Sequence, residues 1–402
     1  MSAGARGFVR WGSGPSEISA NDRRPSSKFL QERDYFTASY PILSSQPLGR
    51  LSKLGYIYRV NFSKMGATWR RTLISATAIA LVGLTAGCGA STTTDTNSGN
   101  KDVAIGGEHF TTADQETAKF GSDAEAGQFP RTITHANGTT TLESKPQRVV
   151  VLDTGELDAV ISLGITPVGI PSTEGSSPIP SYLADKVKDA KTVGTIQELN
   201  LESIAALKPD LIIGSQLRAD KLYSQLNDIA PTVFSIRPGF PWKENFLLAG
   251  EALGEETKAV ETLNAYQDKA TALGNDIEGD PEISLLRFMP EKIRLYANKS
   301  LIGVILKDAG LKRPDNQNID DLAAEISAEN LTDADSDWIF YTSYGTPEAT
   351  GEKAAIEGPL WKKLKAVQND QAFRVNDDVW FLGLGPTGAS QILDDLRSYL
   401  VK

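Results

Sequence analysis

NLESIAALKPDLII, residues 200–213, holds one helix, one stop and one strand in fourteen residues. Leu201 to Lys208 reads as helix, Pro209-Asp210 ends it, and Leu211-Ile212-Ile213 follows as strand. The alternation continues on both sides. Upstream, Val149-Val150-Val151-Leu152 is a continuous apolar run, the pattern of a strand covered on both faces. Glu156 to Leu163 follows as helix, with Leu157, Val160 and Ile161 on one face and Gly164 as its stop; Thr166 to Ile170 is strand again. Downstream, Leu217 to Ile229 reads as helix and Pro231 precedes the strand Thr232 to Ile236. Such alternation predicts a parallel α/β sheet with ligand sites at the strand C-termini.

Beyond Trp242 the pattern changes. No proline interrupts the chain as far as about Asn275, and Leu263, Tyr266, Ala270 and Leu273 repeat at helical spacing, which predicts one long helix. After Pro281 the alternation starts afresh. Ile283–Phe288 and Ile293–Tyr296 read as strands, Ser300–Ala309 as helix, Trp338–Thr342 and Ala372–Val375 as strands, and Thr387–Leu400 as a closing helix. The fold expected is α/β, two Rossmann-like lobes (129–240 and 277–402) joined by a single long helix (241–276). RTITHANGTTTL, residues 131–142, alternates around Asn137-Gly138 and predicts a hairpin at the entrance to the first lobe.

The N-terminal quarter carries a different message. Met65–Cys88 places Arg70-Arg71 before thirteen uncharged residues and the small run Thr85-Ala86-Gly87 directly before Cys88. That is the layout of a secretory signal (65–87), too short to span a bilayer as a helix. Cys88, the only cysteine, allows no internal disulfide. Residues 1–64, with ten basic and four acidic residues and no periodicity, read as a mis-called leader, or else as a disordered extension that export removes. Residues 88–128 read as a flexible tether.

From Cys88 onward 29 basic residues face 47 acidic ones, a formal net charge of −18. Such a surface argues against a nucleic-acid partner. The only histidines, His109 and His135, both stand ahead of the first α/β unit, so a Ser-His-Asp triad, a zinc hydrolase or a Cys-His nucleophile is hard to build. Gly383–Gly388 spells GxGxxG, but only 14 residues follow it, too few for a βαβ unit.

KPQRVVVLD (145–153), LGITPVGI (163–170), NLESIAALKPDLII (200–213), YSQLNDIAPTV (223–233), PLWKKLKAV (359–367) and VWFLG (379–383) occur in the order and spacing found in a known family. The chain resembles the iron-siderophore and cobalamin substrate-binding lipoproteins of bacterial ABC importers, the helical-backbone class. The cysteine at the cut site resembles a bacterial lipoprotein signal, which implies acylation at Cys88 and a lipid anchor on the extracytoplasmic face. The resemblance implies a monomer that captures a ferric siderophore and delivers it to a permease, with no chemistry on the ligand and no cofactor or direct metal ligand. Haem or cobalamin capture on the same fold is the alternative, and an extracytoplasmic enzyme on an α/β frame a more distant one.

A ferric siderophore arrives already wrapped by its own oxygens, so the protein needs cations and aromatic rings around a bulky complex. The candidate contacts are Arg218 after the strand 211–213, Arg287 in SLLRF, Tyr344 after WIFYTS, Trp380-Phe381 in VWFLG, Trp242 at the start of the long helix, and Asp153-Thr154 at the end of the first strand. Each has a plainer reading: Arg218 as a solvated helix-start residue, Arg287 as half of an ion pair, the aromatics as core. Arg294 reads as structural. Ile196 and Leu301 stand where relatives carry arginine, which leaves the siderophore class (hydroxamate, catecholate or carboxylate) open. Glu202 and Glu329 match glutamates that dock on permease arginines in the family; the plainer reading is a favourable first-turn charge.

Overall fold

The structure is a computed structural model and describes residues 110–401 apart from 174 and 176. The expected leader, signal peptide, Cys88 and the tether up to residue 109 lie outside the described residues. The remainder of that tether, 110–128, is instead part of the fold, which corrects the expected tether. Phe110 packs edge-on against Phe240, a short helix forms at Ala113–Thr117, and Gly121 bridges to Thr134. Few apolar residues mark this stretch, but Phe110 and Ala113 are buried, and two such anchors suffice to dock it.

The hairpin forms as expected. Strands β1 (Arg131–His135) and β2 (Gly138–Leu142) pair antiparallel, and alternate residues of β1 are buried. His135 therefore lies inside the first lobe, bonded to Thr140 Oγ1 at 3.0 Å, rather than on an approach to it. The first sheet contains β3 (Val149–Val151), β4 (Gly169–Ser172), β5 (Lys191–Thr195), β6 (Leu211–Ser215) and β7 (Thr232–Ser235). Its order is β5-β4-β3-β6-β7, all parallel. The apolar runs at β3 and β6 are wholly buried because helices cover both faces. Burial of each such valine or leucine contributes about 1.5–3 kcal/mol.

Three expectations are corrected. The long linker is two helices, α3 (Trp242–Leu253) and α4 (Glu256–Asp276); α1 (Thr154–Ser162) and α2 (Leu201–Ala206) belong to the first lobe. Gly254 ends α3 with φ of +64°, and a Cβ there would come within 2.7 Å of the Phe129 ring. Absence of proline does not guarantee continuity when a glycine can take the left-handed cap. The second sheet is mixed rather than parallel. Its strands are β8 (Ile283–Met289), β9 (Lys292–Tyr296), β10 (Ala323–Ile326), β11 (Trp338–Ser343) and β12 (Ala372–Arg374), in the order β10-β9-β8-β11-β12. β9 runs antiparallel to both neighbours, since only Pro290 and Glu291 separate it from β8, too few for a crossover. The helix expected at 217–229 is likewise two short ones, Gln216–Ala219 and Tyr223–Ile229.

Helix α5 (Leu301–Asp308) and the closing helix α7 (Pro386–Leu400) pack against α4, with the single turn α6 (Asp377–Trp380) leading into α7. In both sheets the strand order reverses between two central strands, β3 and β6 in one, β8 and β11 in the other. Loops diverge at such points and leave a crevice at the strand ends.

Candidate functional site

The crevice lies between the lobes. Asp153 and Thr154 reach it from the loop after β3, Arg218 from the helix after β6 and Arg237 from just beyond β7. The second lobe supplies Arg287 from β8, Arg294 and Tyr296 from β9, Tyr344 after β11, and Trp380 and Phe381 from α6 and its end. The space within it is about 1010 Å³ including the part open to solvent, enough for a small-molecule ligand. Seven sequence candidates thus line one cleft: Asp153, Thr154, Arg218, Arg287, Tyr344, Trp380 and Phe381. Trp242 does not. It is buried in the core, edge-on to Tyr266 at 4.9 Å between centroids.

Four guanidinium groups line the walls, and each is held differently. Arg218 Nε donates to Asp153 Oδ2 at 2.8 Å, so it is held in place with its side chain still partly exposed. Asp153 is buried and also caps α1, accepting from the Thr154 amide at 2.7 Å. Arg287 makes a two-pronged pair with Asp377, at 2.7 and 2.5 Å, and contacts Tyr296 Oη at 3.3 Å. Its Cζ lies 4.5 Å from the Tyr344 ring centre and 5.4 Å from that of Phe381. Both readings of Arg287 hold geometrically, since it is an ion-paired strand residue and a cleft wall. Burial works against its charge, but Tyr296 and Asp377 outweigh burial and raise its pKa. Trp380 is also fully buried, its Nε1 bonded to Asp395 at 2.8 Å, so it stiffens the wall from behind.

Arg237 and Arg294 are what the sequence reading missed or set aside. Arg294 Nε pairs with Glu325 at 2.9 Å, yet the side chain also lines the cleft. Arg237 sits over Phe110 at 4.4 Å; burial and then the Arg218 charge push it down to about 10. Its signal was the strand end: IRPG follows β7 as the Asp153 loop follows β3. Ile196 and Leu301 also line the cleft, so the apolar substitutions do face it.

Glu202 and Glu329 lie elsewhere. Each is exposed in the first turn of its element, Glu202 in α2 and Glu329 in the 3₁₀ segment Ala328–Ala334 of the other lobe. Among the described residues no cluster of His, Cys, Asp or Glu could hold a metal ion, and no helix is long and apolar enough to cross a membrane.

A latch joins the lobes beside the cleft. Asp158 on α1 accepts from Tyr182 Oη at 2.6 Å and from the amides of Thr387 and Gly388 at 2.9 Å each, at the start of α7. Gly385 permits this approach, since a Cβ there would come within 2.6 Å of Asp158. The glycines of GLGPTG therefore serve a contact between lobes rather than a nucleotide.

The model of the periplasmic binding protein family matches residues 149–379, more than half of the chain and the greater part of both lobes. The chain belongs to that family. It is 37% identical over 286 residues to the Bacillus subtilis protein named "Probable siderophore-binding lipoprotein YfiY", covering 68% of this chain and 88% of the relative. The Fe(3+)-citrate-binding protein YfmC of the same organism is 32% identical, with the same coverage of both chains. Among solved structures, SirA of Staphylococcus aureus complexed with staphyloferrin B matches with a TM-score of 0.61 and 33% identity, over 67% of this chain and 98% of that one. As a member of this family of substrate-binding proteins, the chain has a cleft for holding a ligand, and the two lobes are the family's architecture.

Proposed function

We propose that this protein is a lipid-anchored extracytoplasmic receptor that captures a ferric siderophore and delivers it to an ABC importer. One observation carries the reading: four arginines from both lobes converge on one cleft where, among the described residues, Asp153 is the only lining carboxylate. Arg218 and Arg237 repel each other there. An anionic complex entering between them relieves that repulsion and gains charge-assisted hydrogen bonds, while the rings of Tyr296, Tyr344 and Phe381 cover its apolar parts. Relatives named for siderophores and for ferric citrate point the same way. Among ligand classes, the arginine wall favours complexes with a net negative charge, for which the siderophore's carboxylates or catecholates would serve.

Docking by Glu202 and Glu329, one exposed on each lobe, completes the cycle. Lipidation at Cys88 would keep the receptor beside its permease. Equilibrium titration with ferric citrate, a ferric hydroxamate, a ferric catecholate, haem and cobalamin tests the reading. Saturation by at least one ferric complex supports it; saturation by haem or cobalamin alone would replace it.

A further inference from the structure

Behind the cleft lies a smaller chamber whose walls come from several parts of the chain. Glu156 enters from the first turn of α1 and Ser235 from the end of β7. Trp242 and Asn245 come from α3, and Leu384–Pro386 from the start of α7. The space open to the centre of a water molecule is about 20 Å³. One water requires roughly 10–15 Å³ by this measure, so the chamber admits one and little more.

Four buried polar atoms of these walls have no hydrogen-bond partner among the described residues: Glu156 Oε2, Ser235 Oγ, Trp242 Nε1 and Asn245 Oδ1. One such atom in a native interior is unusual, and four around one chamber need a common explanation. Their chemistry matches a single molecule. The indole N–H can only donate. Asn245 Oδ1 can only accept, its own amide nitrogen donating to Arg237 O at 2.8 Å. The Ser235 hydroxyl and an un-ionised Glu156 can do either. A water has two protons and two lone pairs, so it can serve all four at once. A cation cannot, because the indole would point its hydrogen at the charge.

We propose that Glu156, Ser235, Trp242 and Asn245 form a binding site for one internal water molecule, and that this site keeps Glu156 as an uncharged acid behind the Asp153–Arg218 pair of the cleft. Glu156 stands three residues after Asp153, on the same side of the start of α1. The charged groups facing it are Asp153 and Arg218; the other chamber walls carry none. Burial, followed by the Asp153 charge, pushes its carboxyl up to about 8. Ionised, Glu156 would share Arg218 with Asp153 and with any anion in the cleft. Neutral, it leaves the guanidinium to them. That consequence rests on the proposed ligand, whereas the water site does not.

Two readouts on the protein without ligand test the site. A crystal structure that resolves ordered water should show a density peak within hydrogen-bonding reach of all four residues. Infrared difference spectra of wild type against Glu156→Gln near pH 6 should contain a protonated-carboxyl C=O band, and it should fade as pH rises past about 8. The folded state holds a proton between 4.5 and about 8 that the unfolded state has lost, so wild type should lose stability relative to Glu156→Gln across that window. A dry chamber in density, or no carboxylic band in the difference, overturns the proposal. Should Glu156→Gln fail to fold, the wild-type density decides. Failure of every ferric complex to bind would sink the proposed function and leave both readouts untouched.

Discussion

Arg287 occupies a strand in which every residue is buried, and its charge is matched there by Asp377 from the turn that carries Trp380. Removing one half of such a pair leaves the other charged and dry. Arg287→Ala should therefore destabilise the protein by about 3–5 kcal/mol, read as a shift of the urea midpoint. The charged residue in SLLRF was legible in sequence as needing a partner or a wet cleft; that it has both was not, because Asp377 lies 90 positions away. His135 makes a second prediction. Burial lowers its pKa from 6.5 to about 4, so between those values the unfolded state binds a proton that the folded state refuses. Stability should be full above pH 6.5 and fall as pH drops towards 4, and His135→Gln should flatten that slope. Equal slopes in wild type and variant would show that the imidazole is charged in the fold.

At the scale of elements, the closing helix and every strand except the edge strands β5 and β10 could be read from apolar runs and proline stops, because those depend on local pattern alone. The break at Gly254 and the antiparallel β9 could not, since the first needs a left-handed cap and the second a hairpin at Pro290-Glu291. The glutamate at 291 has φ of +67°, a conformation that no propensity favours. The Asp158 latch was equally hidden, an acidic position on a helix whose partners come 229 and 230 residues later. Asp158→Ala should leave the start of α7 without its acceptor, costing about 1–3 kcal/mol per amide that finds no other partner. Hydrogen exchange at Thr387 and Gly388 should then accelerate. Unchanged exchange there would mean that packing alone fixes the helix start.

Considered whole, the molecule has two lobes held by α3, α4 and the latch, so small adjustments of the cleft are expected rather than a wide closure. Capture and delivery then use separate surfaces. Replacing Glu202 and Glu329 together by alanine should leave ligand affinity unchanged and abolish uptake in cells carrying the importer, because both lie outside the cleft. Normal uptake would return them to favourable first-turn charges. The central claim concerns the cleft. Its most direct test is to titrate the panel of ferric complexes, and the tightest siderophore without iron, into wild type and Arg218→Ala side by side. At least one ferric complex should saturate wild type at one per chain and bind more weakly without iron. Loss of the Arg218 contact, roughly 1.5–3 kcal/mol, should weaken that complex about tenfold or more. Saturation by no ferric complex, or equal binding by the two proteins, would contradict the account.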